Sequence, residues 1–290
     1  MDASWRCTLS LTPEQRLEVL NLLNRTEVQL GREAIDEGRR RTVVHRWPGE
    51  HWLEYRDGSL IGYALLSGSD RATIEMCGGG FDQQLLDAVL LTHPEVDWWT
   101  RDANPVKSGA VIRTLQFLRV ALPVPVTDVP AGSTLRNFEP QRDEDRWLEQ
   151  NNAAFANHPE QGAWLLHDLA ERTQEPWFDP SGFLLLEIDG RLAASCWTKV
   201  HELHPDRFGE IYVVSVHPDF QGRSLGRVMV TQGLAALRKK GVATAVLFVD
   251  ESNAEAKRLY ESLGFRVERE DHLVRFNRRT MNQPAGLRQT

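Results

Sequence analysis

Residues 213–234 read VVSVHPDFQGRSLGRVMVTQGL. An apolar run of strand type stops at His217-Pro218, and six residues rich in Gly and Arg follow, QGRSLG (221–226). An amphipathic helical pattern then begins. A helix N-terminus leaves backbone N–H groups unpaired and carries the positive end of the helix dipole. Glycines ahead of it let the chain turn tightly and bring those amides close to a ligand. Together they form an anion nest suited to phosphate, to which Arg223 and Arg227 add charge-assisted contacts. The same six residues also suit a plain strand-to-helix turn with solvated arginines, so the flanking sequence has to decide.

Outward from the loop, Glu210–Val216 reads as the incoming strand and Gly226–Lys239 as the outgoing helix. Strand Ala245–Val249, helix Ala254–Leu263 and the strand-like Phe265–Phe276 follow. Upstream lie a short strand, Thr134–Phe138, and helices over Asp143–Ala154 and Trp164–Arg172. Phe183–Ile188 and Leu192–Val200 flank Asp189-Gly190, a strong hairpin signal. The first half echoes this order with helix Pro13–Asn24 and a hairpin, Trp52–Tyr55 and Leu60–Leu66, around Asp57-Gly58. Strand Ala72–Cys77, helix Gln83–Leu91 and strand Val96–Thr100 complete it, which suggests an internal duplication. The proline-rich segment Leu122–Thr134 reads as a linker or a stiff crossing strand, dividing the chain into 1–125 and 126–290.

The loop QGRSLG fits a Gln/Arg-x-x-Gly-x-Gly/Ala acetyl-CoA loop, with Ser224 at the first glycine position. About thirty residues on stands NAEAKRLYESLGF (253–265). Loop, asparagine-to-tyrosine helix and Leu-Gly-Phe turn, in this order, resemble the GCN5-related N-acetyltransferases. The resemblance implies an α/β (α+β) fold of two tandem domains. Each would be a mixed, mainly antiparallel sheet flanked by helices, and the N-terminal copy is degenerate. NNAAFANHPEQG (151–162), WFDP (177–180), WTKVH (197–201) and GEIYVV (209–214) look like a tandem-domain branch of that family. That branch transfers acetyl from acetyl-CoA to the cysteinyl amine of desacetylmycothiol in the actinobacterial cytosol. The match covers residues 134–276 by motif and the first half by architecture only.

By resemblance, Glu210 is the general base and Tyr260 the acid that protonates the departing thiolate. Backbone amides of Val214, Ser215 and Val216 would pair with the pantetheine arm. Gln221, Gly222, Arg223, Ser224, Leu225, Gly226 and Arg227 would hold the pyrophosphate. Asn253, Ala254, Glu255, Ala256, Lys257 and Arg258 open the second CoA-contacting helix, where Asn253 also suits an N-cap and Lys257 and Arg258 also suit solvent. Glu160, Lys199 and Glu210 match acceptor-binding positions. Phe248 replaces a family tyrosine and loses its hydroxyl.

Where the first half should hold a phosphate loop it reads MCGGGFDQQ (76–84). Three glycines could still form a nest, but no Arg or Lys lies nearby and Asp82 would repel phosphate, so one active site per chain is expected.

The net charge of −7 argues against bulk attraction to nucleic acid. No run of eighteen apolar residues suggests a membrane span, and the first residues lack a signal-peptide pattern. Cys7, Cys77 and Cys196 are far apart, which fits a reducing cytoplasm. His201 and His204 have metal-ligand spacing without further ligands, so no metal is expected. A monomer is expected. Two other readings stay open: the same chemistry on an aminoglycoside or a small metabolite, and a non-catalytic acyl-CoA-binding module.

Overall fold

The computed structural model describes residues 4–68, 72–101, 109–156, 162–202 and 207–278. The first half runs β1 (Ser4–Thr8), α1 (Pro13–Leu30), α2 (Glu37–His45), β2 (Glu50–Arg56), β3 (Ser59–Ser67), β4 (Thr73–Met76), α3 (Gln83–Thr92), β5 (Glu95–Arg101) and β6 (Ala110–Ala121). The second runs β7 (Ser133–Asn137), α4 (Glu144–Ala154), α5 (Leu166–Thr173), β8 (Phe183–Ile188), β9 (Arg191–His201), β10 (Phe208–Val216), α6 (Leu225–Lys239), β11 (Thr244–Asp250), α7 (Ala254–Ser262) and β12 (Arg266–Asn277).

Both Asp-Gly hairpins form as expected. Asp57 and Gly58 have φ of 49° and 76°, and Asp189 and Gly190 have 51° and 76°. Two consecutive left-handed residues are what a type I′ turn requires. Thr12 caps α1 in a capping box closed by Gln15, and α1 runs on past Asn24 to a left-handed Gly31.

Three elements are absent from the sequence reading: β1, α2 and β6. Helix α2 lacks an apolar stripe because its inward side chains include Arg39 and Arg41, buried through ion pairs. A hydrophobic-periodicity argument misses such a helix.

The strands form one sheet in the order β1-β2-β3-β4-β5-β12-β6-β11-β10-β9-β8-β7. Among the described residues only β4·β5 and β10·β11 pair in parallel. The order repeats about its centre, so β1 to β5 of one half correspond to β7 to β11 of the other. The sixth strands exchange: β6 pairs with β11 of the second half, and β12 pairs with β5 of the first. The expected division at residue 125 falls between β6 and β7, and both sixth strands cross it.

The exchange carries apolar side chains with it. Val274 and Phe276 of β12 lie in the first-half core with Trp98 and Leu86. Leu118 and Val120 of β6 lie in the second-half core beneath α6 and α7. Burying one such side chain stabilises by roughly 1.5–3 kcal/mol, so each half depends on the other for part of its core. On the opposite face of the second half, Trp147, Trp197 and Phe183 pack under α4 and α5.

Candidate active site

The site begins where β10 and β11 part. Their parallel ladder consists of Gly209↔Ala245 and Glu210↔Val246 only. A little further on, Tyr212 is the extra residue of a bulge against β9, between Ile211↔Thr198 and Val213↔Trp197. A bulge bends its strand and increases the local twist. Beyond Glu210, β10 therefore has a backbone edge that β11 does not pair. An extended ligand carrying its own amides, such as a pantetheine arm, satisfies an edge of this kind. Val214 and Val216 pack against the core beneath, whereas Ser215 is fixed from the other face by Gln150 and Ser195.

The strand leads into the predicted loop. Gly222 has φ 75° and Ser224 has φ 59°, and Leu225 opens α6. The amides of residues 222–226 donate to no protein acceptor among the described residues; the next, Arg227, bonds back to Ser224 O at 3.1 Å. Gln221, Gly222, Arg223 and Ser224 are exposed, and Gly226 is half-buried. The loop thus leaves five neighbouring amides open to an anion on its own geometry. The two arginines differ. Arg223 is exposed and lies 5.2 Å from the Phe220 ring centre. Arg227 donates to Ser262 Oγ at 2.6 Å and ties α6 to α7.

Asn253 caps α7 through Ala256 N at 3.1 Å. Ala254, Glu255 and Arg258 are exposed on its first turns, and Lys257 donates to Glu251 O. Tyr260 is buried in the core cluster that also holds Leu247 of β11 and supports Val214 and Val216 of β10. Burial pushes its hydroxyl well above the usual tyrosine range. That hydroxyl makes no hydrogen bond among the described residues, and its oxygen is not one of the fully buried unpaired polar atoms.

Glu210, Lys199 and Phe248 line one cavity of about 530 Å³. Its other walls come from both halves: Glu33 before α2, Glu37 at the start of α2, Arg101 at the end of β5, Arg119 on β6 and Arg269 on β12. Lys199 Nζ lies 2.9 Å from Glu37 Oε2 and 3.3 Å from Glu33 Oε1. Burial alone would pull the Lys199 ammonium down, but Glu33 and Glu37 hold it well above the usual lysine range. Burial pushes the Glu37 carboxyl up. For Glu33, Lys199, His201 and Arg101 outweigh burial and hold the carboxyl low. Phe248 is 41% exposed and meets Phe117 edge to face at 5.0 Å. Glu210 is 8% exposed, and its Oε2 accepts from His201 Nε2 at 2.6 Å. Tyr260 and the 221–226 loop are not part of this cavity wall.

Glu160 and His204 lie outside the described residues. Among the described residues no cluster of three or more metal-ligating side chains occurs, and no helix is long and apolar enough to cross a membrane. Sequence reasoning missed Glu33, Glu37, Arg101, Arg119, Arg269 and the pairing of His201 with Glu210. No local pattern marked them: Glu33 precedes α2, so its spacing from Glu37 puts the two on no common helical face, and their lysine partner is 162 residues from Glu37.

The equivalent points of the first half look different. Glu75 ends the β4·β5 parallel ladder, opposite Trp99, as Glu210 ends that of β10·β11. It is 1% exposed and ion-paired to Arg101 and Arg39, and burial pushes its carboxyl up to about 7. In the glycine loop, Gly78 N and Gly79 N already donate to Ala34 O and Met76 O. The Asp82 carboxylate caps α3 through Leu85 N at 2.8 Å. Only residues 102–109 separate β5 from β6, where α7 stands between β11 and β12.

The family model described as "Acetyltransferase (GNAT) family" matches residues 143–265, the segment from the α4 cap through α7. A tandem GNAT protein from the clavulanic acid biosynthesis pathway (without AcCoA) has the same fold at TM-score 0.66 and 14% identity, covering 94% of this chain and 98% of that one. Fold and site define an acetyl-CoA-dependent acetyltransferase. The mycothiol acetyltransferase of Thermomonospora curvata is 51% identical over 233 residues, covering 73% of this chain and 77% of that protein. The mycothiol acetyltransferase of Streptomyces griseus subsp. griseus is 37% identical over 288 residues, covering 92% and 93%. The chain belongs to the mycothiol acetyltransferase family.

Proposed function

We propose that this enzyme acetylates the cysteinyl amine of desacetylmycothiol, giving mycothiol, by direct attack of the amine on the thioester of acetyl-CoA. The observation that carries this reading is the position of Glu210. It is a buried carboxylate at the point where β10 and β11 part, and it faces a cavity roomy enough for a sugar-sized acceptor.

An α-amine in water titrates at roughly pH 8, so a fraction of the cysteinyl amine is neutral near pH 7. Glu210 removes the proton as the C–N bond forms. Unpaired backbone amides on β10 polarise the thioester carbonyl. The C–S bond then breaks and the thiolate takes the Tyr260 proton. A hydroxyl kept in its neutral form by burial, with no acceptor of its own, suits that donation. Lys199, oriented by Glu33 and Glu37, serves acceptor hydroxyls, with Glu160 as a further acceptor contact. Phe248 offers an aromatic wall without a hydroxyl.

The first half is read as a degenerate copy that binds no acetyl-CoA. Gly78 N and Gly79 N of its loop already donate to protein carbonyls, the Asp82 carboxylate sits at the start of its helix, and Arg39 and Arg101 engage its counterpart of Glu210.

Competition decides the acceptor. With acetyl-CoA and an equimolar mixture of desacetylmycothiol, an aminoglycoside and simple amines, mass spectrometry is expected to find acetylated desacetylmycothiol almost exclusively. An aminoglycoside product in excess would remove the assignment.

A further inference from the structure

We infer that His201 is a positioning residue for Glu210, and that it decides which carboxylate oxygen meets the acceptor amine. This rests on Glu210 being the base.

His201 is the last residue of β9 and stands opposite Phe208, two residues beyond Lys199, which stands opposite Glu210. Residues two apart share a face of a strand, so His201, Lys199, Phe208 and Glu210 lie on one side of the sheet. The imidazole stacks on the Phe208 ring at 4.7 Å between centroids and 16° between planes. That ring lies under the Arg119 guanidinium, 5.4 Å away. His201 is 8% exposed, so stacking and burial leave it little freedom to turn.

Its two nitrogens face carboxylates on different elements. Nε2 lies 2.6 Å from Glu210 Oε2, and Nδ1 lies 4.0 Å from Glu33 Oε1 on the turn before α2. An ionised carboxylate only accepts, so Nε2 carries the hydrogen. Glu210 Oε1, in contrast, has no donor among the described residues. The bond to His201 therefore occupies one oxygen and leaves the other for the amine. When the amine proton arrives on Oε1, Oε2 still accepts from Nε2, and the carboxyl keeps its orientation through the step. A carboxylate free to rotate about its last torsion would present Oε1 only part of the time, and misplacement of a reacting group by about 1 Å can cost about 100-fold. The Glu33 contact extends the arrangement across the two halves, because Glu33 also takes the Lys199 ammonium.

The test uses His201→Phe, which keeps a flat ring over Phe208 and removes the donor. It is compared with His201→Gln, whose amide nitrogen reaches about as far as Nε2 and restores it. Each is made in the full-length enzyme and also combined with Glu210→Gln. Circular dichroism and calorimetric acetyl-CoA binding check folding. If His201 acts through Glu210, His201→Phe lowers kcat about 30- to 100-fold with the acetyl-CoA KM within twofold. His201→Gln returns to within about fivefold of wild type, and His201→Phe costs nothing further in the Glu210→Gln background. Full additivity of the two losses would overturn the role. So would Phe and Gln variants that are equally slow, which would indicate that the imidazole itself moves the proton. A Glu210→Gln enzyme as fast as wild type would instead remove the base assignment, a distinct result.

Discussion

At the scale of single residues, the site depends on which polar groups the protein leaves unused. Tyr260 is held by apolar neighbours, with Phe265 at 5.7 Å and a hydroxyl that has no partner among the described residues. A hydroxyl without a protein partner adds no hydrogen bond to the folded state and so contributes little to stability. Tyr260→Phe is accordingly expected to lower kcat by about 100-fold while leaving the melting temperature unchanged or slightly higher. Wild-type turnover in this variant would remove Tyr260 as the acid. Glu75 shows the opposite fate of a polar group. It stands where Glu210 stands in the other half, yet Arg39 and Arg101 engage it. The sequence displays both glutamates near strand ends with nothing to tell them apart. Their difference lies in neighbours contributed by α2 and β5.

At the scale of elements, the loop between β10 and α6 works through backbone conformation more than through charge. Five consecutive unpaired amides require the left-handed turns at Gly222 and Ser224. A β-branched residue at φ 75° is strained by roughly 1–2 kcal/mol, although nothing lies within 4 Å of an added Cβ at Gly222. Gly222→Val is therefore expected to raise the acetyl-CoA Kd at least about tenfold, with a small loss of thermal stability. Calorimetry showing unchanged affinity would exclude the nest. The two arginines were equivalent in the sequence reading, and packing separates them: Arg223 is free to meet an anion, whereas Arg227 is engaged with Ser262. The loop and its flanking helices were legible from glycine spacing and periodicity. Helix α2 was not, since two of its three buried side chains are the ion-paired Arg39 and Arg41, with Val43 alone in the apolar core.

At the scale of the whole molecule, the exchange of β6 and β12 makes the halves interdependent. Without β6, strand β11 loses its antiparallel partner from Thr244 to Asp250, and the second-half core loses Leu118 and Val120. An unpaired apolar strand edge promotes aggregation. Residues 126–290 produced alone are thus expected to aggregate or to lack a cooperative melting transition, and co-production with residues 1–125 is expected to restore a soluble complex that binds acetyl-CoA. Size-exclusion chromatography and thermal denaturation check this. A stable, acetyl-CoA-binding 126–290 fragment would show that the exchange is dispensable. The cavity beside Glu210 has the same dependence, because Glu33, Glu37 and Arg101 come from the first half.

The amino-acid sequence by itself determined the hairpins, the glycine turn between β10 and α6, the two helices beside it and the strand and helix that carry Glu210 and Tyr260. These are local: turn chemistry, periodicity and motif order act over a few to a few tens of residues. The tertiary structure alone decided which half supplies each sixth strand, that Lys199 meets Glu33 and Glu37, and that His201 holds Glu210. Sheet register sets such meetings between residues far apart in the chain, and no local pattern encodes which of several compatible strands will occupy a neighbouring place.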